Sequence, residues 1–582
     1  MSYLHIYWKK YRFKFLTAIF FLSLEALADL LQPALMSKIV DQGVAHSNLS
    51  FIERYGLLML LITLIGAVCA CTRNILSVIV SQKFAQDLRQ DLYIKIQSLS
   101  QTQIDRFGNA TLITRLTNDV TRVQTFANGM MRIMMKAPLV GIGSLIMAVH
   151  LNPRLSLILL GVAPIIALLI FANMKVSYPY FRKVQRALDH VNRSMQDYLS
   201  GIRVVKVFSR SAYEQERFNT NNQILGRLSA TASKIGSVFG PLINLTVNFG
   251  VIAILWFGGI GVNNGSMHVG AIIAFTNYMM QLLFAIMMVN NAFSMLVRAR
   301  ASAERIGEVM NIEPDMSFPN LQSSDRVIDH MGSLQFEHVN FSFPSGNEQR
   351  RPVLTDIHFS VLPGETIGII GPIASGKSTV ANLILRFYDP DQGAILLGGK
   401  DIKKYSEEQL HKKVAIVPQH SLLFSGSVIE NIRWGNENAS DEEVIEAAKI
   451  ADADTFVRKL SHGYKAMIGQ GGVNLSGGQK QRLSIARALI RKPEILILDD
   501  ATSAVDAQTD KRIRKRLKQA IQGLTCIMIS QKVSSIMDAD RILVLNQGRI
   551  EAMGKHDELL AKSPFYRTVC DLQLAKGERS RG

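Results

Sequence analysis

Between Ile235 and Val297 the chain carries no Asp, Glu, Lys or Arg. An uncharged stretch of that length cannot be a water-facing surface, and it is too long for one buried helix, so it points to membrane spans. Cysteine is scarce. The four present (Cys69, Cys71, Cys526, Cys570) form no C-x-x-C pair and no metal-ligand spacing, which argues against a cysteine metal centre. Cys69 and Cys71 point to different faces of one helix, and all four read as packing residues. Nor are the basic residues gathered into one patch with interleaved aromatics; they are spread between hydrophobic segments along the chain. That spread of a net charge of +18 argues against nucleic acid and for orientation in a lipid bilayer. At 582 residues the chain is too long for a single core.

Six runs have membrane-spanning length, at about 13–36, 56–80, 133–152, 154–174, 236–262 and 268–296. Ala26-Leu27-Ala28 looks like a signal-peptide cleavage site, but the apolar run continues to Met36 and five more spans follow, so the first span is read as uncleaved. Basic residues gather in the N-terminus (Lys9, Lys10, Arg12, Lys14) and in the connections 83–132 and 175–234. Both termini and both long connections are therefore expected in the cytoplasm of a multi-pass protein of the cell membrane. Phe84, Leu88, Leu92, Ile96 and Leu99 recur at helical spacing, so each connection is expected to be two long helices joined by a short turn. Asn263-Asn264-Gly265 makes the last two spans a hairpin.

Glu25 and Asp29 lie one turn apart inside the first span. Charges at that depth face a cavity or a partner. Two readings stay open: the acids line a translocation cavity that favours cations, or they pair with Arg73 on the second span. Met280, Phe284 and Met287 on the last span offer a deformable apolar face to a small amphipathic substrate.

The second half of the chain reads as a soluble α/β domain with alternating strands and helices. Gly371-Pro372-Ile373-Ala374-Ser375-Gly376-Lys377-Ser378, followed by Thr379, matches the P-loop pattern between an apolar strand and a helix. There backbone N–H groups cradle phosphates, Lys377 reaches the outer phosphates and Ser378 holds Mg²⁺. Asp499, at the end of the run Ile495–Leu498, is placed to hold the same ion. Leu475-Ser476-Gly477-Gly478-Gln479 opens a helix and makes a second anion-binding turn.

These motifs together, with Gln419 and with Asp506 in Ser503-Ala-Val-Asp506, resemble the ATP-binding cassette of ABC transporters. Six spans ahead of one cassette resemble an exporter half-transporter of the type-I exporter (type IV) fold. The fold class implied is multidomain: a six-helix all-α transmembrane domain over 1–312, a linker over 313–332 and an α/β cassette over 333–582. The resemblance implies ATP and Mg²⁺, with Phe343 stacking on adenine, Gln419 sensing Mg²⁺ and γ-phosphate, and Asp506 in the D-loop. It also implies that Leu475–Gln479 completes the site of a second half-transporter, and it assigns cytoplasmic coupling regions near 105–119 and 201–216.

Two positions depart from the family. Its catalytic glutamate corresponds to Asp500, and its switch histidine to Gln531. A base one methylene shorter holds the attacking water badly, and an amide cannot replace imidazole. The pattern resembles the degenerate-site subunit of a heterodimeric bacterial multidrug exporter, whose non-identical partner brings both missing groups. A homodimeric lipid or peptide exporter and an ATP-gated channel or regulatory subunit are the alternatives. Gln470, where many relatives have glutamate, is a further departure.

Overall fold

The computed structural model describes residues 2–316, 318–319, 332–343, 352–520 and 523–579. The linker expected at 313–332 falls largely outside them. The chain divides into two compact units, Met1–Gln97 with Asn109–Ile312, and Ser98–Gly108 with Glu313–Gly582. The sequence placed 98–108 with the membrane domain; its own contacts place it with the cassette instead.

The first unit is built of six helices long and apolar enough to cross a membrane. They are His5–Val44, Leu49–Gln97, Asn109–Leu151, Pro153–Ser200, Ser211–Asn263 and Val269–Met310, called spans 1 to 6 below. Span 2 alone has 49 residues, about 74 Å at 1.5 Å per residue, whereas a bilayer core needs about 30 Å. More than half of such a helix must therefore run outside the hydrocarbon. Spans 4 and 5 are joined through Gly201 and the short helix Ile202–Val207, and their packing on each other is extensive. Gly265, at φ +68°, ends span 5 where the sequence expected the turn. Leu60, Leu64, Phe249 and Trp256 lie on outward faces, as lipid contact requires.

Three π-helical segments interrupt the first unit: Ile39–Val44, Arg115–Asp119 and Met130–Met134. The middle one lies within the motif Arg115–Asp119, assigned from sequence to a coupling region. Its two charged ends are buried and turn towards span 6. Arg115 meets Glu308 at 2.7 Å and donates to the Arg305 carbonyl, while Asp119 accepts from Ser302 and pairs with Arg305. The motif therefore anchors span 3 to span 6 inside this unit.

In the second unit a six-stranded sheet runs in the order Arg549–Gly554, Arg541–Asn546, Thr366–Ile370, Thr525–Ile529, Ile495–Asp499, Val414–Val417. All pairs are parallel except the first, which is antiparallel. The central strands are apolar throughout because helices cover both faces. An antiparallel sheet of Leu334–Phe341, Leu354–Val361, Gln392–Leu397 and Lys400–Asp401 packs alongside. The parallel strands Thr366–Ile370, Ile495–Asp499 and Thr525–Ile529 end at the same level, and the next residues of each form the site.

Candidate functional site

At the end of Thr366–Ile370 the chain turns through 371–376 into the helix Lys377–Ile384. Gly371 has no alternative: a Cβ there would stand 1.9 Å from the Leu545 carbonyl oxygen. Ala374 adopts φ +64°, a left-handed conformation that costs an L-residue energy and that sequence reasoning passed over. Lys377 Nζ donates to the Gly371 and Pro372 carbonyls at 2.9 and 2.6 Å. Burial holds its pKa below the usual lysine value, partly offset by Asp499 and Asp500.

Residues 373–379 line a cavity of about 340 Å³ together with Gln419, Asp499, Asp500, Ile529, Ser530 and Gln531. The strand ends thus bring four separate stretches of sequence to one place. Burial raises the pKa of Asp499; a hydrogen bond from Ser378 opposes that, and the neighbouring Asp500 adds to it. The donor set fits Mg²⁺: a carboxylate, a hydroxyl and an amide oxygen are hard ligands, and a cation would relieve the cost of burying Asp499. Bound there, Mg²⁺ supplies charge neutralisation between phosphate oxygens. Asp500 sits at φ +49° with its N–H on the Ile529 carbonyl, and Gln419 Nε2 lies 3.5 Å from its carboxylate.

Phe343 does not line this cavity. It is 40% exposed, with its ring edge-on to Phe341 and to Tyr388 at 5.0 and 5.3 Å. Tyr388 donates to Asp105 at 2.6 Å, and Gln103 donates to the Glu313 carbonyl. These bonds hold the segment 98–108 on the cassette, beside the aromatic expected to take the base. Neither residue was singled out from sequence.

The signature turn stands apart from the cavity. Ser476 caps the helix Gly477–Leu489 and exchanges hydrogen bonds with Gln479, a capping box. Asp506 accepts from the Thr509 N–H, which holds its pKa low, and so starts the helix Ala507–Ala520. Gln481 ties the two together through Ser503 and the Ala504 N–H. Gln470 lies exposed in a short 3₁₀ turn. The loop around Gln531 is clamped from the C-terminal helix, where Gln573 donates to the Gln531 carbonyl and accepts from the Val533 N–H. A partner forty residues downstream leaves no local signal in sequence.

In the first unit the two acids of span 1 meet two cations. Glu25 pairs with Arg73 at 2.8 Å and with Lys136 at 2.6 Å; Asp29 pairs with Lys136 at 2.9 Å. The Arg73 pairing foreseen from sequence is present, and Lys136 is an addition to it. Glu25 is buried against these cations and does not line the cavity beside them. Asp29 and Phe284 do line one; Met280 and Met287 do not, because residues 281, 284, 285 and 288 share the facing side of span 6.

The model of the ABC transporter transmembrane region matches residues 15–286, and that of the ABC transporter matches 354–503. A Bacillus subtilis protein described as "Uncharacterized ABC transporter ATP-binding protein YfiB" is 38% identical over 96% of each chain. This chain belongs to the ABC transporter family. An "ATP-dependent lipid A-core flippase" from Desulfotalea psychrophila is 31% identical over 97% of each chain. A bacterial Atm1-family ABC exporter solved with ATP bound superposes with TM-score 0.78 at 24% identity, covering 97% of this chain and 98% of that one. The fold is thus that of an ABC exporter half-transporter, a multi-pass membrane protein with one ATP-binding domain.

Proposed function

We propose that this chain is the degenerate-site half of a heterodimeric ABC exporter of amphipathic compounds. It grips ATP and Mg²⁺ on Lys377, Ser378 and Asp499 and hydrolyses slowly over its own P-loop. The observation that carries the reading is that Asp500 and Gln531, the two departures from the family pattern, both border the P-loop cavity. A base there must reach the attacking water to within a hydrogen bond; the aspartate is short and the Gln531 amide does not titrate. Its intact Ser476–Gln479 turn serves the partner's ATP, where glutamate and histidine do the work. The relative named as a lipid A-core flippase supports an amphipathic cargo.

ATP hydrolysis by the purified chain, alone and with candidate partner half-transporters, tests this. Vanadate-sensitive, substrate-stimulated turnover is expected only in the pair. Brisk turnover by the chain alone that is lost in Asp500→Asn would instead establish a homodimer. Ion conductance without turnover would establish a gated channel.

A further inference from the structure

The charge cluster of spans 1, 2 and 3 has two unequal halves. Glu25 and Arg73 are more than nine-tenths buried and serve each other, whereas the Asp29 side chain is 39% exposed and Lys136 21%. The exposed half borders a cavity of about 240 Å³ between spans 1, 3 and 6, lined by Asp29, Gln32, Lys136, Gln281, Phe284 and Met288 among others. That volume holds a polar headgroup but not a drug-sized molecule, which takes roughly 300–1,000 Å³.

An inventory of its polar atoms shows what remains free. Gln281 is pinned at both ends, donating to the Asp29 carbonyl and accepting from Ser144. Gln32 donates to Thr63. Lys136 spends two of its three N–H donors on Glu25 and Asp29. Among the described residues, Asp29 Oδ1 has no protein partner. The cavity therefore offers one cationic N–H and one carboxylate oxygen side by side, with Phe284 and Met288 at its apolar edge.

The signs then decide what can enter. Within the ion-paired set, Glu25 and Asp29 against Arg73 and Lys136 sum to zero, and the exposed Arg132 near Arg73 adds a positive charge outside it. A lone cation at Asp29 must displace or crowd Lys136, and a lone anion at Lys136 faces two carboxylates. A headgroup carrying both signs meets each of its charges with the opposite one and leaves the 2.9 Å pair in place. We propose that Asp29 and Lys136 form the headgroup site for a zwitterionic amphiphile. The proposal rests on the exporter reading for what happens after binding, and it replaces the preference for cations that two acids alone suggested.

The test is binding of three radiolabelled amphiphiles with one dodecyl tail to the full-length chain in nanodiscs without nucleotide. The probes are dodecylphosphocholine, dodecyltrimethylammonium and monododecyl phosphate, each below its micellar concentration. The phosphocholine is expected to bind about tenfold more tightly than either ion. Asp29→Asn should move the preference to the phosphate, and Lys136→Gln to the ammonium. The double variant keeps the Glu25–Arg73 pair with amides at the other two positions. It should lose the zwitterion preference, and it decides the matter if a single variant fails to accumulate. Equal or tighter binding of the ammonium to the unaltered chain, no binding of any probe, or an equal loss of all three in the variants overturns the site. ATP-dependent accumulation of the phosphocholine in inside-out vesicles that carry the chain together with the partner half-transporter that supports turnover is scored separately. Its absence with the binding order intact overturns the exporter reading and leaves the site standing.

Discussion

The cassette and the membrane unit both bury charge, and they neutralise it differently. In the cassette, Lys377, Asp499 and Asp500 surround a cavity shaped for a charged ligand, and burial pushes the pKa of Lys377 down and that of Asp499 up. In the membrane unit, four charges from three helices cancel within the protein, and only the Asp29–Lys136 edge faces open space. A site awaiting counter-charge and a site already balanced respond oppositely to substitution: the first loses ligand, the second loses stability.

The sharpest way to break that contrast is Lys377→Met. Two or more charge-assisted hydrogen bonds to phosphate disappear, so affinity for a fluorescent ATP analogue should fall roughly 100-fold or more while the melting temperature changes little. Arg73→Met should do the reverse. It strips Glu25 of one of its two partners and should destabilise the membrane unit by about 3 kcal/mol, the low end for a broken buried pair because Lys136 remains. Thermal unfolding in detergent would show it, and Glu25→Gln together with Arg73→Met should recover much of the loss. Tyr388→Phe deletes the hydrogen bond to Asp105 and keeps the ring, costing about 1–2 kcal/mol in cassette unfolding and leaving the segment 98–108 more open to hydrogen exchange. Ala374→Gly relieves the left-handed strain in the P-loop and should stabilise the cassette by up to about 1 kcal/mol.

The smallest effect is one of pH. Because the folded pKa of Asp499 is raised, its carboxylate takes up a proton on acidification before an ordinary aspartate would. Mg²⁺ dependence of ATP binding should therefore begin to weaken at a higher pH than an aspartate of ordinary pKa would allow, and Asp499→Asn should remove that acid-side step. The same sign means that burying charged Asp499 costs stability above its folded pKa, a cost that acid removes. Fluorescence titrations with and without Mg²⁺ across the acid range would measure the first effect, and thermal unfolding against pH the second.

What was legible in sequence follows from how far apart the partners are. The P-loop, Asp499 and the Ser476–Gln479 turn are short words at element junctions, and parallel strands carry their ends to one level by geometry alone. The spans are legible because lipid tolerates little charge. Lys136 was not, because its meaning depends on a neighbour more than a hundred residues away and on the π-helical turn Met130–Met134 just before it. Gln573 and Tyr388 were missed for the same reason. Arg115–Asp119 was noticed for its resemblance to a coupling region, but its burial and its ion pairs to span 6, which fasten it within the membrane unit, left no local signal.

The membership of residues 98–108 in the second unit means that the polypeptide passes between the two units three times, after Gln97, after Gly108 and after Ile312. A protease nick placed between residues 313 and 332 would thus cut a single tether and leave a loop still stapled to the cassette through Asp105 and its phenol partner. Fragments of such a nicked molecule should co-purify, and separating them should demand denaturant.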